Sequence, residues 1–198
     1  KVLLKHNISK INGFFLDLGL SSPIVDHAKF GFSYKIEGPL NMLFSQSNQN
    51  NAKDFLNSNK EAEIYKVLRV YGEEPNSKKI SKSIVLQAGK HKMNSTFDLR
   101  NAVCSVTPVK FQRKTLSRVF QAIRIKVNNE LEILKNTLEL TLYFLKKGGR
   151  IVVISYHSLE DKIVKAFFKK HSTICICPIE IPICVCNNVP SLKKITTK

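Results

Sequence analysis

Four sets of side chains have the types and spacings that do chemistry. The first is Asp17 with Ser21, Ser22 and Pro23, at and just past the apolar run Gly13-Phe14-Phe15-Leu16. Carboxylate and hydroxyl oxygens at a strand end can accept hydrogen bonds from a ligand. They can equally form an ordinary turn, with Asp17 as a cap. The second is His157-Ser158, directly after the β-branched run Arg150 to Tyr156. His157 reads either as a ligand contact or as a polar loop residue, and Ser158 as a helix N-cap in both cases. The third is a run of cations. From Leu99 to Asn129 stand Arg100, Lys110, Arg113, Lys114, Arg118, Arg124 and Lys126, with no acid among them. Such a run tracks phosphates or is a solvated helix face. Arg124, one position from an apolar stripe, also reads as a buried structural arginine. The fourth is Cys175-Ile176-Cys177 and Cys184-Val185-Cys186. Four thiols so spaced suit tetrahedral zinc, and two short strands would put all four on one hairpin face. The connection with Pro178 and Pro182 allows such a hairpin. Each Cys-X-Cys is tighter than the usual knuckle, however, so buried free thiols compete and no metal is assigned. Cys104, on an apolar helical stretch, reads as core.

The elements that must position these residues follow from periodicity. Gly13–Leu18 and Arg150–Tyr156 read as buried strands. Residues 26–50 are polar and turn-rich, a long loop. Helices are expected over 51–70, about 77–88 and about 96–105, the last with Thr96 as N-cap and Asp98 in its first turn. The clearest helix is 117–145. Phe120, Ile123, Val127, Leu131, Leu134, Leu138, Leu142 and Leu145 make one continuous stripe, closed by Lys146, Lys147, Gly148 and Gly149. A further helix starts at Ser158, with Asp161 in capping-box position, and buries Ile163, Val164, Phe167 and Phe168. Strands alternating with helices imply a parallel α/β sheet, whose ligands bind at strand C-termini. Asp17 and His157 both occupy such ends. The helices between the two strands read as an insertion.

Composition sets the outer bounds. A chain of 198 residues with 43% hydrophobic content is globular, one domain or one domain with an insertion. Lys and Arg total 32 against 15 acids, a net charge of +17 that argues for a polyanionic partner, nucleic acid before membrane. An AT-rich genome is the rival source of the lysines, as Asn48, Asn50, Asn51, Asn57 and Asn59 suggest. No apolar run approaches a membrane span, and the first ten residues hold no signal-peptide core. Five cysteines do not make a disulfide scaffold, so a reducing cytoplasm is the default expectation. The chain starts with Lys and reads as a fragment.

Four stretches taken together carry a resemblance. They are Leu16-Asp17-Leu18-Gly19-Leu20-Ser21-Ser22-Pro23; Gly31-Phe32-Ser33 with Gly38-Pro39-Leu40-Asn41-Met42; Phe120-Gln121-Ala122-Ile123-Arg124-Ile125 with Val127-Asn128 and Glu130-Leu131; and Gly148-Gly149-Arg150 through Ile154-Ser155-Tyr156-His157-Ser158-Leu159-Glu160-Asp161. In this order the chain resembles the bacterial small-subunit rRNA (cytosine-N4-)-methyltransferase family over nearly its whole length. The resemblance implies an α/β fold, a partial Rossmann-like class I methyltransferase sheet with an inserted helical lobe. Gly13–Leu18 would be the fourth sheet strand and Arg150–Tyr156 the fifth. It implies S-adenosylmethionine as cofactor, small-subunit rRNA or the small ribosomal subunit as partner, no membrane, and a cytoplasmic site of action. The expected reaction is N4-methylation of a cytosine in the decoding region. Asp17, Ser21, Ser22 and His157 would position substrate. Asp17, Leu18, Gly19 and Ile24 would face the cofactor, and Lys110, Arg113, Lys114, Arg118 and Arg124 the RNA.

The resemblance also divides the chain. Residues 1–44 and 116–172 would belong to the methyltransferase domain, 45–115 to a compact helical insertion, and 173–198 to a Cys-rich basic tail. Departures from the family pattern are Ile24 for a usual Gln, Asn41 for a usual Asp and Leu43 for a usual Arg. The family's glycine-rich cofactor loop and the following acid would lie before residue 1. Residues 1–198 alone are therefore expected to be inactive, and a truncated RNA-binding remnant is the rival reading.

Overall fold

The computed structural model describes residues 2–45, 50–178 and 183–195. Part of the 26–50 loop and Pro182 lie outside them. In chain order the elements are α1 (Val2–Lys5), β1 (Ile11–Asp17), α2 (Ser22–Val25), a 3-10 turn (Ala28–Phe30), α3 (Ala52–Ser58), α4 (Glu61–Val70), α5 (Ser77–Lys90), α6 (Thr96–Cys104), α7 (Val109–Asn128), α8 (Glu130–Phe144), β2 (Leu145–Ile154) and α9 (Ser158–Ser172). They form two compact units. One is Leu20–Glu130, and the other joins Lys1–Gly19 to Leu131–Lys198.

The helical unit is wider at both ends than the expected 45–115. Leu40 and Met42, from the supposed loop, are buried in its core, as are Val119, Phe120 and Ile123 of α7. The loop is tied down by backbone. Leu40 N–H donates to Asn94 O, and Pro39 bridges Ser95. Two glycines permit this. Gly31 has φ +69°, and a Cβ there would collide with the Pro39 carbonyl. A Cβ on Gly38 would collide with the Ala28 carbonyl. The helix expected over 51–70 is instead two, broken at Asn59 and Lys60, both extended. At α6 the N-cap is Ser95, one residue earlier than expected, in a full capping box with Asp98. Thr96 is buried and serves the loop instead. Its hydroxyl donates to Ile36 O (2.7 Å) and accepts from Gly38 N–H (3.1 Å).

The helix expected over 117–145 is also two. It breaks at Asn129, in the left-handed region at φ 51°, which Asn tolerates. The preceding Asn128 shows why the chain turns here. Its buried amide donates to Met42 O (2.7 Å) and accepts from Phe44 N–H (2.9 Å). The apolar stripe thus serves two cores. Phe120, Ile123 and Val127 join the helical unit, while Leu134, Leu138 and Leu142 pack with Val164, Phe167, Leu16 and Val153 in the other unit.

β1 and β2 pair in parallel, with Phe14 opposite Ile151, Phe15 opposite Val152, Leu16 opposite Val153 and Asp17 opposite Ile154. The register shifts between Ile11 and Gly13, whose partners are Leu145 and Arg150. Lys146 to Gly149 therefore lie in an irregular strand, with Gly148 at φ +80°, and do not end the helix as expected. Neither strand is buried on both faces. Leu16, Ile151 and Val153 face the α8–α9 core, while Phe15, Val152 and Ile154 on the other face are exposed. Among the described residues no helix is long and apolar enough to cross a membrane.

Candidate functional site

β1 and β2 run in the same direction, so their C-terminal ends stand side by side. Asp17 ends β1 opposite Ile154. Two residues past Ile154, Tyr156 reaches back, and its hydroxyl donates to Asp17 Oδ1 at 2.8 Å. The carboxylate holds the phenol neutral and raises its pKa. Gly19 follows at φ +100°, and a Cβ there would sit 3.2 Å from Tyr156 Cδ2. Glycine keeps this corner open and lets the tyrosine ring lie against bare backbone. Tyr156 itself is 67% exposed. Leu18 is differently used. Its N–H donates to Ile154 O (3.0 Å), and its side chain packs on the α8–α9 core.

The turn from β2 into α9 is locked by Glu160. That carboxylate is buried and accepts from Tyr156 N–H at 3.1 Å. The N-cap of α9 is His157, not Ser158, and its partner is Glu160 rather than Asp161. His157 Nδ1 accepts from Glu160 N–H (3.4 Å), and Nε2 lies 3.2 Å from Glu160 Oε1. Only 14% of the imidazole is exposed, so the ring serves the turn and offers little surface to a ligand. Tyr156 and Glu160 are the site residues that sequence reasoning missed. Tyr156 was read as the end of a strand. Glu160 stands three residues after His157, just as Asp161 stands three after Ser158, so spacing alone could not choose between them.

The other sequence-predicted residues fall elsewhere. Ser21 is exposed, its carbonyl accepting from Ile24 N–H and Val25 N–H. Ser22 and Ile24 lie in the short α2, with Ile24 38% exposed. In the helical unit, Lys110, Arg113 and Lys114 are exposed on the first turns of α7. Tyr34, Lys35, Arg100, Val109, Gln112, Arg113 and Leu116 line a shallow groove there of about 450 Å³. Phe111 is half exposed beneath Lys110, whose Nζ lies 4.9 Å from the ring centre. Arg118 Nη1 is 3.5 Å from the buried Glu74. Arg124 is committed within the protein. Its guanidinium makes a two-pronged pair with Glu130 at 2.8 and 3.0 Å and is 14% exposed. The sequence's alternative for this residue, a structural arginine, describes it better than an RNA contact does.

The four tail cysteines are neither buried nor on strands. Cys175 and Cys184 are exposed and Cys177 and Cys186 half exposed, in irregular backbone. Their sulfurs all lie within 4.8 Å of one another. Backbone N–H groups of Ile176 and Asn188 stabilise the Cys186 thiolate and lower its pKa to about 6. For Cys175 the largest single influence, the Cys177 N–H, is lowering. The thiols of Cys184, Cys177 and Cys186 outweigh it and push Cys175 up to about 12.

Comparison with known proteins completes this picture. The sequence model of the MraW methylase family matches residues 1–198. Across the full chain, the sequence is 46% identical to ribosomal RNA small subunit methyltransferase H of Caldicellulosiruptor saccharolyticus, covering 65% of that protein. It is 42% identical to the enzyme of the same name from Clostridium botulinum strain Kyoto, and 41% identical to that of Carboxydothermus hydrogenoformans, covering 64% of each. The chain thus spans just under two thirds of the length of these relatives.

Proposed function

The chain belongs to the MraW methylase family, and from that premise we propose that it forms part of an enzyme that methylates N4 of a cytosine in the decoding region of small-subunit rRNA. The observation that carries this is the Asp17–Tyr156 corner at the C-terminal ends of two parallel strands, where open α/β sheets bind ligands. In this reading β1 and β2 are neighbouring strands of a Rossmann-like class I sheet, and residues 45–115 are its helical insertion.

S-adenosylmethionine is the cofactor this reading requires, and bound there it supplies an electrophilic methyl group on a sulfonium. The residues present fit one side of such a group. Asp17 keeps an acceptor oxygen beyond the one bonded to Tyr156, suited to an N–H or O–H of the cofactor. Gly19 keeps its backbone bare, which lets the Tyr156 ring close the edge of this corner. Leu18 contributes its carbonyl only, since its N–H is spent on Ile154. Ile24 offers no polar group. Ser21 and Ser22, next along the chain, are the assigned acceptors for the amino N–H bonds of cytosine. A cytosine N4 lone pair is delocalised into the ring, so the amino group must be held in line and its growing positive charge met by oxygen acceptors. On transfer the methyl carbon would bond to nitrogen as its bond to the sulfonium sulfur breaks, the neutral thioether would leave, and the nitrogen would lose one proton to solvent. His157 acts by shaping the turn that presents Tyr156. Lys110, Arg113 and Lys114, with Lys35 and Arg100 around the groove, are the assigned phosphate contacts.

The test is methyl transfer by the full-length protein to small ribosomal subunits lacking the modification, read by mass spectrometry of the nucleosides. N4-methylcytidine is the expected product. Asp17→Ala should lower cofactor affinity at least about tenfold, the worth of one charge-assisted hydrogen bond. Methyl groups on a ring carbon or a ribose would defeat the assignment. Retained RNA binding without any transfer would favour the inactive remnant.

A further inference from the structure

The tail after α9 presents a physical puzzle. Ile174, Ile176, Ile183 and Val185 are 74, 66, 75 and 67% exposed. The apolar side chains are exposed to water, and the groups that converge in the segment are four sulfurs. Hydrocarbon burial therefore does not hold this segment together. Among the described residues no strand ladder holds it either.

The sulfurs are nonetheless arranged with order. Cys184 and Cys186 sulfurs are 3.5 Å apart, and those of Cys175 and Cys186 are 3.9 Å apart. A disulfide needs about 2.0 Å. Four sulfurs around a tetrahedral zinc ion, each about 2.3 Å from it, would sit about 3.8 Å from one another. The two arms are also reciprocal. Ile176 N–H donates to Cys186 Sγ, and Val185 N–H donates to Cys177 Sγ, each at 3.4 Å. Amides aimed at sulfur stabilise thiolates and fix their direction, as the outer groups of a metal site do. Asn187 then reverses the chain at φ 46°. The base of the knuckle is closed by Asn188 Nδ2 donating to Thr173 O (2.7 Å) and Leu192 N–H donating to His171 O (3.0 Å). Leu192 packs on the α8–α9 core and anchors the returning chain.

We propose that Cys175, Cys177, Cys184 and Cys186 form a structural zinc site that staples the segment following α9. Four sulfurs so close together can all ionise only with a cation between them. Soft sulfur ligands in a closed tetrahedral set select zinc and leave it no open position for catalysis. The knuckle is then built by metal in place of a hydrophobic core.

The chain should be purified under a reducing agent and without chelator, and its metal content measured by mass spectrometry. About one zinc ion per chain is expected. Cys177→Ser together with Cys184→Ser should drop it to background, while Cys104→Ser leaves it unchanged. A second measurement needs no variant. Wild-type chain stripped of metal and titrated with cobalt(II) should develop the intense visible bands of a tetrahedral tetrathiolate, saturating at one equivalent. Reduced chain that holds no zinc and yields no such spectrum overturns the proposal. Zinc content unaffected by the double substitution overturns it as well.

Discussion

The two compact units keep themselves folded by different means. In Leu20–Glu130 the core is extensive, and side chains such as Leu56, Ile64, Leu68, Ile80 and Ile123 are fully buried. In the other unit the buried apolar side chains among the described residues are Leu134, Leu138, Val164 and Phe167, of which Leu138 alone is fully enclosed; one sheet face is exposed, and the tail gathers around sulfur. The family motifs divide along the same line. In the helical unit Gly31, Gly38 and Asn128 are packing devices that tie a loop to a helix. In the sheet unit Asp17, Gly19 and Tyr156 sit at strand ends, the place proposed for the ligand. A shared sequence motif is thus not by itself a site.

The contrast can be broken by truncating each core. Ile123→Ala should destabilise the helical unit by about 2–5 kcal/mol, because it empties a fully enclosed position. Leu134→Ala should cost the lower end of that range, about 2 kcal/mol, since the smaller core can relax around it. Urea unfolding followed by helical circular dichroism measures both. Equal losses would mean that the two cores are alike.

A middle-sized effect sharpens the reading of Asn128. Asn128→Ala leaves Phe44 N–H and Met42 O without their partner, at about 1–3 kcal/mol. Hydrogen exchange at the Phe44 amide should quicken at least about tenfold. An unchanged rate would mean that the loop is held by other contacts.

The smallest effect concerns the sheet unit. Hydrogen bonding from Lys170, opposed by burial and reinforced by the hydrogen bond from His171, holds the Glu139 carboxyl below its ordinary range. A lowered carboxylate stabilises the fold above its unfolded pKa, and that contribution is lost as pH falls through the folded value. Glu139→Gln should therefore flatten acid unfolding slightly. The cost near neutral pH should stay below about 1 kcal/mol and shrink in salt, because the pair is exposed. A larger, salt-independent loss would show that this pair carries the unit's stability.

Much of this was legible in the sequence. Periodicity found both strands, most of the helices and the parallel alternation, since one-dimensional spacing reports which face is apolar. It also put Asp17 and His157 at strand ends, because strand and turn signals are local. The apolar stripe from Phe120 to Leu145 could not show that it serves two cores, for a stripe records burial and not against what. The break at Asn129 adjoins Asn128, whose amide is bonded to Met42 and Phe44, dozens of residues away in sequence. The Tyr156–Asp17 bond and the choice of His157 over Ser158 as cap depend likewise on where β2 ends against β1. The sequence by itself determined composition, charge and local pattern, which nearest-neighbour physics reads. The tertiary structure alone decided which polar groups meet, which cations are already paired and which thiols converge, since hydrogen bonds and ion pairs act over a few ångströms of space and ignore distance along the chain.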